Sequence, residues 1–255
     1  MIGKRLSDIQ RKYRFHIYTK FLKKEYINDL LNGNIYMKNF GFFIDLENKT
    51  RIKGQGDKYE VALVDKLLNV QLYDPKTNML MGTAKSGYKV ERYDVMRKIP
   101  IFCVACFKSN DFVITKVDEE SINVKLDIPV KDQIMFENTF GPYAVILTPE
   151  FKDQMIQASN RDDLGLVFGD TDYQDLEVPS NLRRKDFEQG SDNIFFWKDK
   201  YFDNQRETRF VLKNKIVEDH YIMKLGELSN KTKVLTTKEL FTDTELIIPK
   251  SMLEI

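Results

Sequence analysis

Apolar and polar positions alternate along much of this chain, and the alternation breaks often enough to mark many short elements. Residues 14–21, RFHIYTKF, alternate as a strand does. The following segment, 22–32, reads as a helix with Leu22, Tyr26, Leu30 and Leu31 on one face and Gly33 as its natural stop. IYMKNFGFF (35–43) predicts a second strand, and 45–60 a loop whose Gly54 and Gly56 permit sharp turns. Asp74-Pro75-Lys76-Thr77-Asn78 is turn chemistry between two strand-like runs, hence a hairpin. IPIFCVACF, FVITKV, SINVKLDI and Tyr143 to Leu147 follow as strands, and Thr148-Pro149-Glu150 predicts a cap on a helix carrying Phe151, Met155 and Ala158. LGLVFG and TDYQDL straddle a Gly169-Asp170 turn, while NIFFWKD, QRETRFVLK, HYIMKL and ELIIP each fit strands.

The pattern predicts an α+β fold: a single domain over 1–255, with a curved, largely antiparallel sheet and about three helices. A doubly wound parallel sheet is disfavoured because the connections are too short for regular crossover helices.

The 255 residues suffice for a real core, and 42% hydrophobic with 31% charged residues excludes disordered and collagen-like classes. The net charge is only +1, which argues against long polyanions as the main partner. That charge is unevenly spread: residues 1–24 carry eight bases against one acid, and 150–192 eleven acids against five bases. Such runs are usually solvated faces; an anion-binding mouth near the N-terminus is the sharper alternative. The longest apolar stretch, Ile99 to Phe107, is about half a bilayer-spanning helix, and MIGKRLSDIQRKYR lacks the apolar run of a secretory signal. The expectation is a soluble, cytoplasmic protein without a membrane partner.

The two cysteines, Cys103 and Cys106, form C-x-x-C within a β-branched and aromatic run. In a strand, positions three apart face opposite ways, so buried small hydrophobes are expected rather than a redox or zinc site. A G-x-G-x-x-G loop in a strand-to-helix context, a P-loop, a G-x-S-x-G elbow and H-E-x-x-H are all missing from the sequence. Asp170, Asp172 and Asp175 crowd GDTDYQD without the spacing of a calcium loop, and read as an acidic surface turn.

The informative segment is WKDKYFDNQRETRFVLK, residues 197–213. Its polar turn runs into a strand on which Thr208, Phe210 and Leu212 share one face and Glu207, Arg209 and Val211 the other. Glu207 thereby stands where a catalytic carboxylate can be aimed from a rigid element beside a loop. The competing reading is an ion pair of Glu207 with Arg209 on the same face.

Gln205-x-Glu207 followed by E-x-x-x-V-L resembles the last motif of ADP-ribosyltransferases. His16-Ile17-Tyr18-Thr19, on a strand before a helix, is similar to the opening motif of that family's histidine-bearing branch. The resemblance implies NAD as substrate and Glu207 as the carboxylate that holds the ribose and stabilises the departing-nicotinamide state. It implies Gln205 as the residue orienting the acceptor, and His16, Tyr18, Tyr36 and Lys20 or Arg14 as the nicotinamide, ribose and pyrophosphate contacts. The chain also resembles bacterial and phage domains of unknown function. The matching pieces are the His16 segment, Leu30 to Gly33, Gly56-Asp57-Lys58-Tyr59-Glu60, and Lys200 to Arg209.

Cleavage of a nicotinamide glycosidic bond requires a carboxylate, an aromatic wall and phosphate donors in one hollow. The first reading, an ADP-ribosyltransferase or NAD glycohydrolase, therefore needs Glu207 and His16 on one concave surface. The second is a non-enzymatic protein of the same fold that recognises a nucleotide-like ligand or a protein partner, in the setting of phage–host conflict. The third, a nucleic-acid site using Tyr13, Phe15 and Tyr18 among the N-terminal bases, is disfavoured by the balanced charge. Structural alternatives apply throughout: His16 as a satisfied strand histidine, Tyr18 and Tyr36 as core or rim.

Overall fold

A computed structural model describes residues 1–9, 15–228 and 232–253. Arg11, Lys12, Tyr13 and Arg14, part of the basic segment and of the expected first strand, lie outside the described residues.

Strand β1 (His16–Leu22) leads to α1 (Ile27–Leu31), β2 (Asn34–Asn39) and α2 (Phe40–Thr50). Next come two long strands, β3 (Leu63–Tyr73) and β4 (Leu80–Glu91), and then β5 (Pro100–Lys108), β6 (Phe112–Val117) and β7 (Ser121–Leu126). The middle continues with α3 (Val130–Met135), β8 (Tyr143–Ile146), α4 (Phe151–Arg161), β9 (Leu166–Asp170) and β10 (Asp172–Gln174). It closes with α5 (Asn181–Glu188), β11 (Trp197–Asp199), β12 (Glu207–Leu212), β13 (His220–Lys224), β14 (Lys233–Thr236), α6 (Thr237–Thr242) and β15 (Glu245–Pro249).

The class is α+β. Among the described residues six α-helices replace the expected three, and four sheets replace one. The main sheet has eight strands, all paired antiparallel. Its centre is β5, whose nearly unbroken apolar run is buried on both faces. On one side β5 pairs with β12, which carries β9. On the other side it pairs with β1 through Ala105 to Lys108 and with β2 through Pro100 and Ile101, so these two strands join its opposite ends.

One face of the sheet packs Ile101 and Val211 against Phe40 and Ile44 of α2, with Phe195 and Trp197 closing over them. Farther along that face Phe21, Ala105 and Phe107 meet Phe136 and the sheet β6–β7–β15. The other face packs Phe102, Val104 and Phe210 against Phe151, Met155 and Ala158 of α4. No helix among the described residues is long and apolar enough to cross a membrane.

Several local expectations change. Residues 40–50 form a helix, not the end of a strand and a loop: Asn39 Oδ1 accepts the Phe42 N–H at 2.9 Å, and Phe40, Ile44 and Glu47 make a buried stripe. The helix after β8 begins at Phe151, with Thr148 and Pro149 outside it. β9 and β10 do not pair with each other; β9 joins β12, while β10 pairs in parallel with β11. Within NIFFWKD the residues Asn193 to Phe196 belong to a 3-10 turn, Asp192–Phe196, leaving only Trp197–Asp199 as strand. The helix before Gly33 starts as a 3-10 turn at Lys24–Tyr26, and Gly33 ends it at φ 75°. There a Cβ would stand 1.7 Å from the Gly226 carbonyl oxygen, so only glycine fits.

Candidate functional site

Glu207 opens β12, and its side chain points into the protein, only 8% exposed. Arg209, two residues on and fully buried, donates Nε to Glu207 Oε1 at 2.8 Å. Lys198 of β11 donates Nζ to the other carboxylate oxygen at 2.5 Å and to Gln205 Oε1 at 2.9 Å. Glu60 completes the group: its Oε1 accepts from Arg209 at 2.7 Å and lies 3.7 Å from Lys198 Nζ. Arg209 also donates to the Phe195 carbonyl at 2.7 Å. Two cations and two carboxylates thus meet out of water, with good geometry and mutual hydrogen bonds, as buried charge requires.

Burial alone would raise the Glu207 pKa, but Arg209 and Lys198 outweigh it and hold the carboxyl well below its ordinary value. Burial likewise pulls on Lys198, and Glu207 with Glu60 keeps it above the ordinary lysine value. Asp57 lies beside this cluster, 1% exposed, with Oδ1 accepting the Tyr59 N–H at 2.8 Å. Its Oδ2 and Glu60 Oε2 have no hydrogen-bond partner among the described residues. Burial, with the nearby Glu60 charge, pushes Asp57 up to about 7.

The backbone is shaped to deliver these groups. Val61, directly after Glu60, and Arg206, directly before Glu207, both sit in the left-handed region at φ 47° and 49°. For a β-branched residue that conformation is rare and strained. Arg206 is held by Asp111 and Asp132, each 3.0 Å from its guanidinium. The Glu207 N–H donates to the Tyr173 hydroxyl at 2.8 Å. The 51–58 segment covers the cluster: Gln205 Nε2 donates to the Gly54 carbonyl at 2.8 Å, and Lys58 N–H to Glu47 Oε2 at 3.0 Å.

Of the residues the sequence singled out, Gln205 and Glu207 come together, while His16, Tyr18 and Lys20 do not join them. In the sheet Glu207 pairs with Ala105, and Ala105 with Thr19. Thr19 therefore shares the Glu207 face, and its neighbours Tyr18 and Lys20 point to the other one. The contacts agree: Tyr18 meets Phe210 edge-on at 6.0 Å, and Lys20 Nζ lies 4.4 Å above Phe102. Lys20 donates to the Cys103 carbonyl at 2.7 Å, which directs its charge into the sheet rather than toward a ligand. Tyr36 sits at the far end of β5, stacked on His220 at 4.7 Å. Among the described residues Glu207 shares no hollow with His16, Tyr18 or Lys20, and it is ion-paired with Arg209.

A second cluster lies on the His16 face. The His16 and Tyr18 rings are 4.9 Å apart, edge to face. Asp170 Oδ1 accepts from the Thr208 hydroxyl at 2.6 Å and Oδ2 from Lys108 Nζ at 2.7 Å. Burial of Asp170 is outweighed by these two donors, which hold its carboxyl below the ordinary value. Burial, together with Cys106 and Asp170, pushes the Tyr18 hydroxyl up to about 12. Cys103 and Cys106 face opposite ways as free thiols, Cys103 toward Glu207 and Cys106 toward Thr208.

Sequence reasoning missed Lys198, Glu60 and Asp57 as partners of Glu207. A lysine closing the apolar run FFW is one available signal, whereas Gly56 to Glu60 enters the sequence reading only through a resemblance. Two open clefts, about 510 Å³ beside Phe42, Arg97 and Asp219 and about 380 Å³ beside Phe168, Asp172 and Arg183, are not lined by Glu207, Gln205, His16 or Tyr18. Among the described residues no group of three or more His, Cys, Asp or Glu side chains is arranged to hold a metal. No protein-family model, curated protein or solved structure matches the chain.

Proposed function

We propose that this chain is a non-enzymatic binding protein, with the Glu207 cluster as its structural keystone. The recognition surface in this reading is the face carrying His16, Tyr18, Lys108 and Asp170, with the buried Thr208 holding Asp170 from beneath. One observation carries it: both carboxylate oxygens of Glu207 are occupied by buried cations, on the opposite face of the sheet from His16 and Tyr18. A carboxylate so neutralised is poorly placed to stabilise a developing oxocarbenium charge. The His16–Tyr18 pair offers aromatic surface for a base, and Lys108, exposed beside it, a cation that would exchange its Asp170 partner for a phosphate, which is the chemistry of a nucleotide-like ligand.

A second reading keeps NAD chemistry, favoured by the bond from Gln205 to Gly54: displacing the 51–58 segment would uncover Gln205 and Glu207. Two measurements on the purified chain separate them. Nicotinamide release from NAD is expected at background for both wild type and Glu207→Gln. A thermal-shift screen of mononucleotides and dinucleotides is expected to raise Tm for at least one ligand, and Tyr18→Ala to abolish that rise. Release of nicotinamide that is lost in Glu207→Gln would overturn the binding reading in favour of the transferase.

A further inference from the structure

β9 is an edge of the main sheet, bound to β12 on one side only. Its bonds fix which residues look outward. Thr171 N–H reaches the Glu207 carbonyl at 2.9 Å and Lys213 N–H the Gly165 carbonyl at 3.1 Å, so the odd-numbered positions face β12. Leu166, Phe168 and Asp170 therefore turn their backbone N–H and C=O groups away from it. Leu166 N–H is met by Ser159 Oγ at 3.0 Å, whereas those groups of Phe168 and Asp170 find no backbone partner among the described residues. A cleft of about 380 Å³ lies beside these two residues. A free strand edge at a cleft is where an extended peptide adds as a further strand.

The cleft walls define the peptide. Phe168 is 39% exposed, and Phe196 and Trp197 extend the apolar lining. Asp172 and Asp186 bring carboxylates whose hydrogen bonds come from neutral amides, those of Gln174 and Asn193, the latter at 3.0 Å. Arg183, 2% exposed on the α5 wall, gives its terminal nitrogens to the Asp175 and Val178 carbonyls. Its Nε has no hydrogen-bond partner among the described residues. That nitrogen calls for an acceptor, and the two carboxylates for cations. A peptide backbone with lysine or arginine side chains supplies both. A nucleic acid would bring phosphates against Asp172 and Asp186, and a second copy of β9 its own Asp170; both repel.

We propose that this cleft takes up a short basic peptide segment as an added strand on β9. The site is independent of the nucleotide reading, since neither His16 nor Tyr18 lines the cleft. Fluorescence anisotropy of a labelled peptide alternating valine with lysine and arginine tests it on the full chain. A Kd below about 1 mM is expected, and no binding of the same peptide with glutamate at the basic positions. Asp172→Asn with Asp186→Asn is expected to raise Kd tenfold or more, because asparagine keeps an acceptor for each amide and loses the charge. Two further peptides carry backbone N-methyl groups, one at odd and one at even positions. Only one of them is expected to bind, because an added edge strand uses every second N–H. Absence of binding to wild type, equal binding of the glutamate peptide, a Kd unmoved by the two substitutions, or equal binding of the two methylated peptides would overturn the proposal.

Discussion

Arg209 reaches Glu207 across 2.8 Å, from two residues along the same strand face, and neither group is open to solvent. That distance binds a carboxylate suited to catalysis into a charge cluster whose other members, Lys198 and Glu60, come from segments far away in sequence. A charge cluster of this kind fixes which segments meet, because each ion left alone would be costly to bury. It ties β11, β12 and the segment before β3 together under α2.

Asp57 gives the fold an unusual pH slope. Its folded pKa, about 7, lies above the ordinary aspartate value of 3.8. Between those two limits the folded state holds a proton that the unfolded state has released, so this group weakens the fold as pH rises from about 4 to 7. Glu207, held low, acts oppositely: its contribution is present above the ordinary glutamate value and is lost in acid. Urea unfolding at a series of pH values is expected to show Asp57→Asn more stable than wild type at pH 8, by on the order of a few kcal/mol, with the gap closing toward pH 4. An unchanged gap across that range would show that Asp57 does not titrate as described.

Both thiols should be silent in the native state. Burial pushes Cys106 up to about 11 and Cys103 well above its ordinary value. A thiol-titrating disulfide reagent at pH 8 is expected to find no reactive group until denaturant is added, and then two. Rapid native reaction at either position would mean that the sheet face is open there.

Gly56 rests directly on α2. A Cβ there would come within 2.7 Å of the Glu47 nitrogen and 2.8 Å of the Phe43 oxygen, closer than real Cβ atoms approach. Gly56→Ala should lift the covering segment, weaken the Gly54–Gln205 bond and cost about 1–3 kcal/mol, the usual range for overpacking. Limited proteolysis with trypsin is expected to cut faster at Lys53 and Lys58 in this variant; equal rates would mean that the segment does not depend on that contact.

The sequence made some of this legible. The two-residue period of E-T-R put Glu207 and Arg209 on one face, and it also grouped His16, Tyr18 and Lys20. What it could not supply was the parity between strands. Pairing of Thr19 with Ala105 and of Ala105 with Glu207 sets it, and a one-residue slip of β1 would have turned Tyr18 toward Glu207. The helix at Phe40–Thr50 is hidden because its second half, Asp45 to Thr50, holds one apolar residue, Leu46, and is polar enough to read as a loop. The convergence of Asp57, Glu60 and Lys198 on Arg209 and Glu207 depends on tertiary folding, which no local period encodes.

The central claim, that Glu207 holds the fold together, is tested most directly by the unfolding free energy of Glu207→Gln at pH 7. Losing the negative charge leaves Lys198 and Arg209 buried against Glu60 alone, and a loss of about 3–5 kcal/mol relative to wild type is expected. A variant as stable as wild type, or more stable, would contradict the claim and return Glu207 to the role of a catalytic carboxylate maintained at the expense of stability.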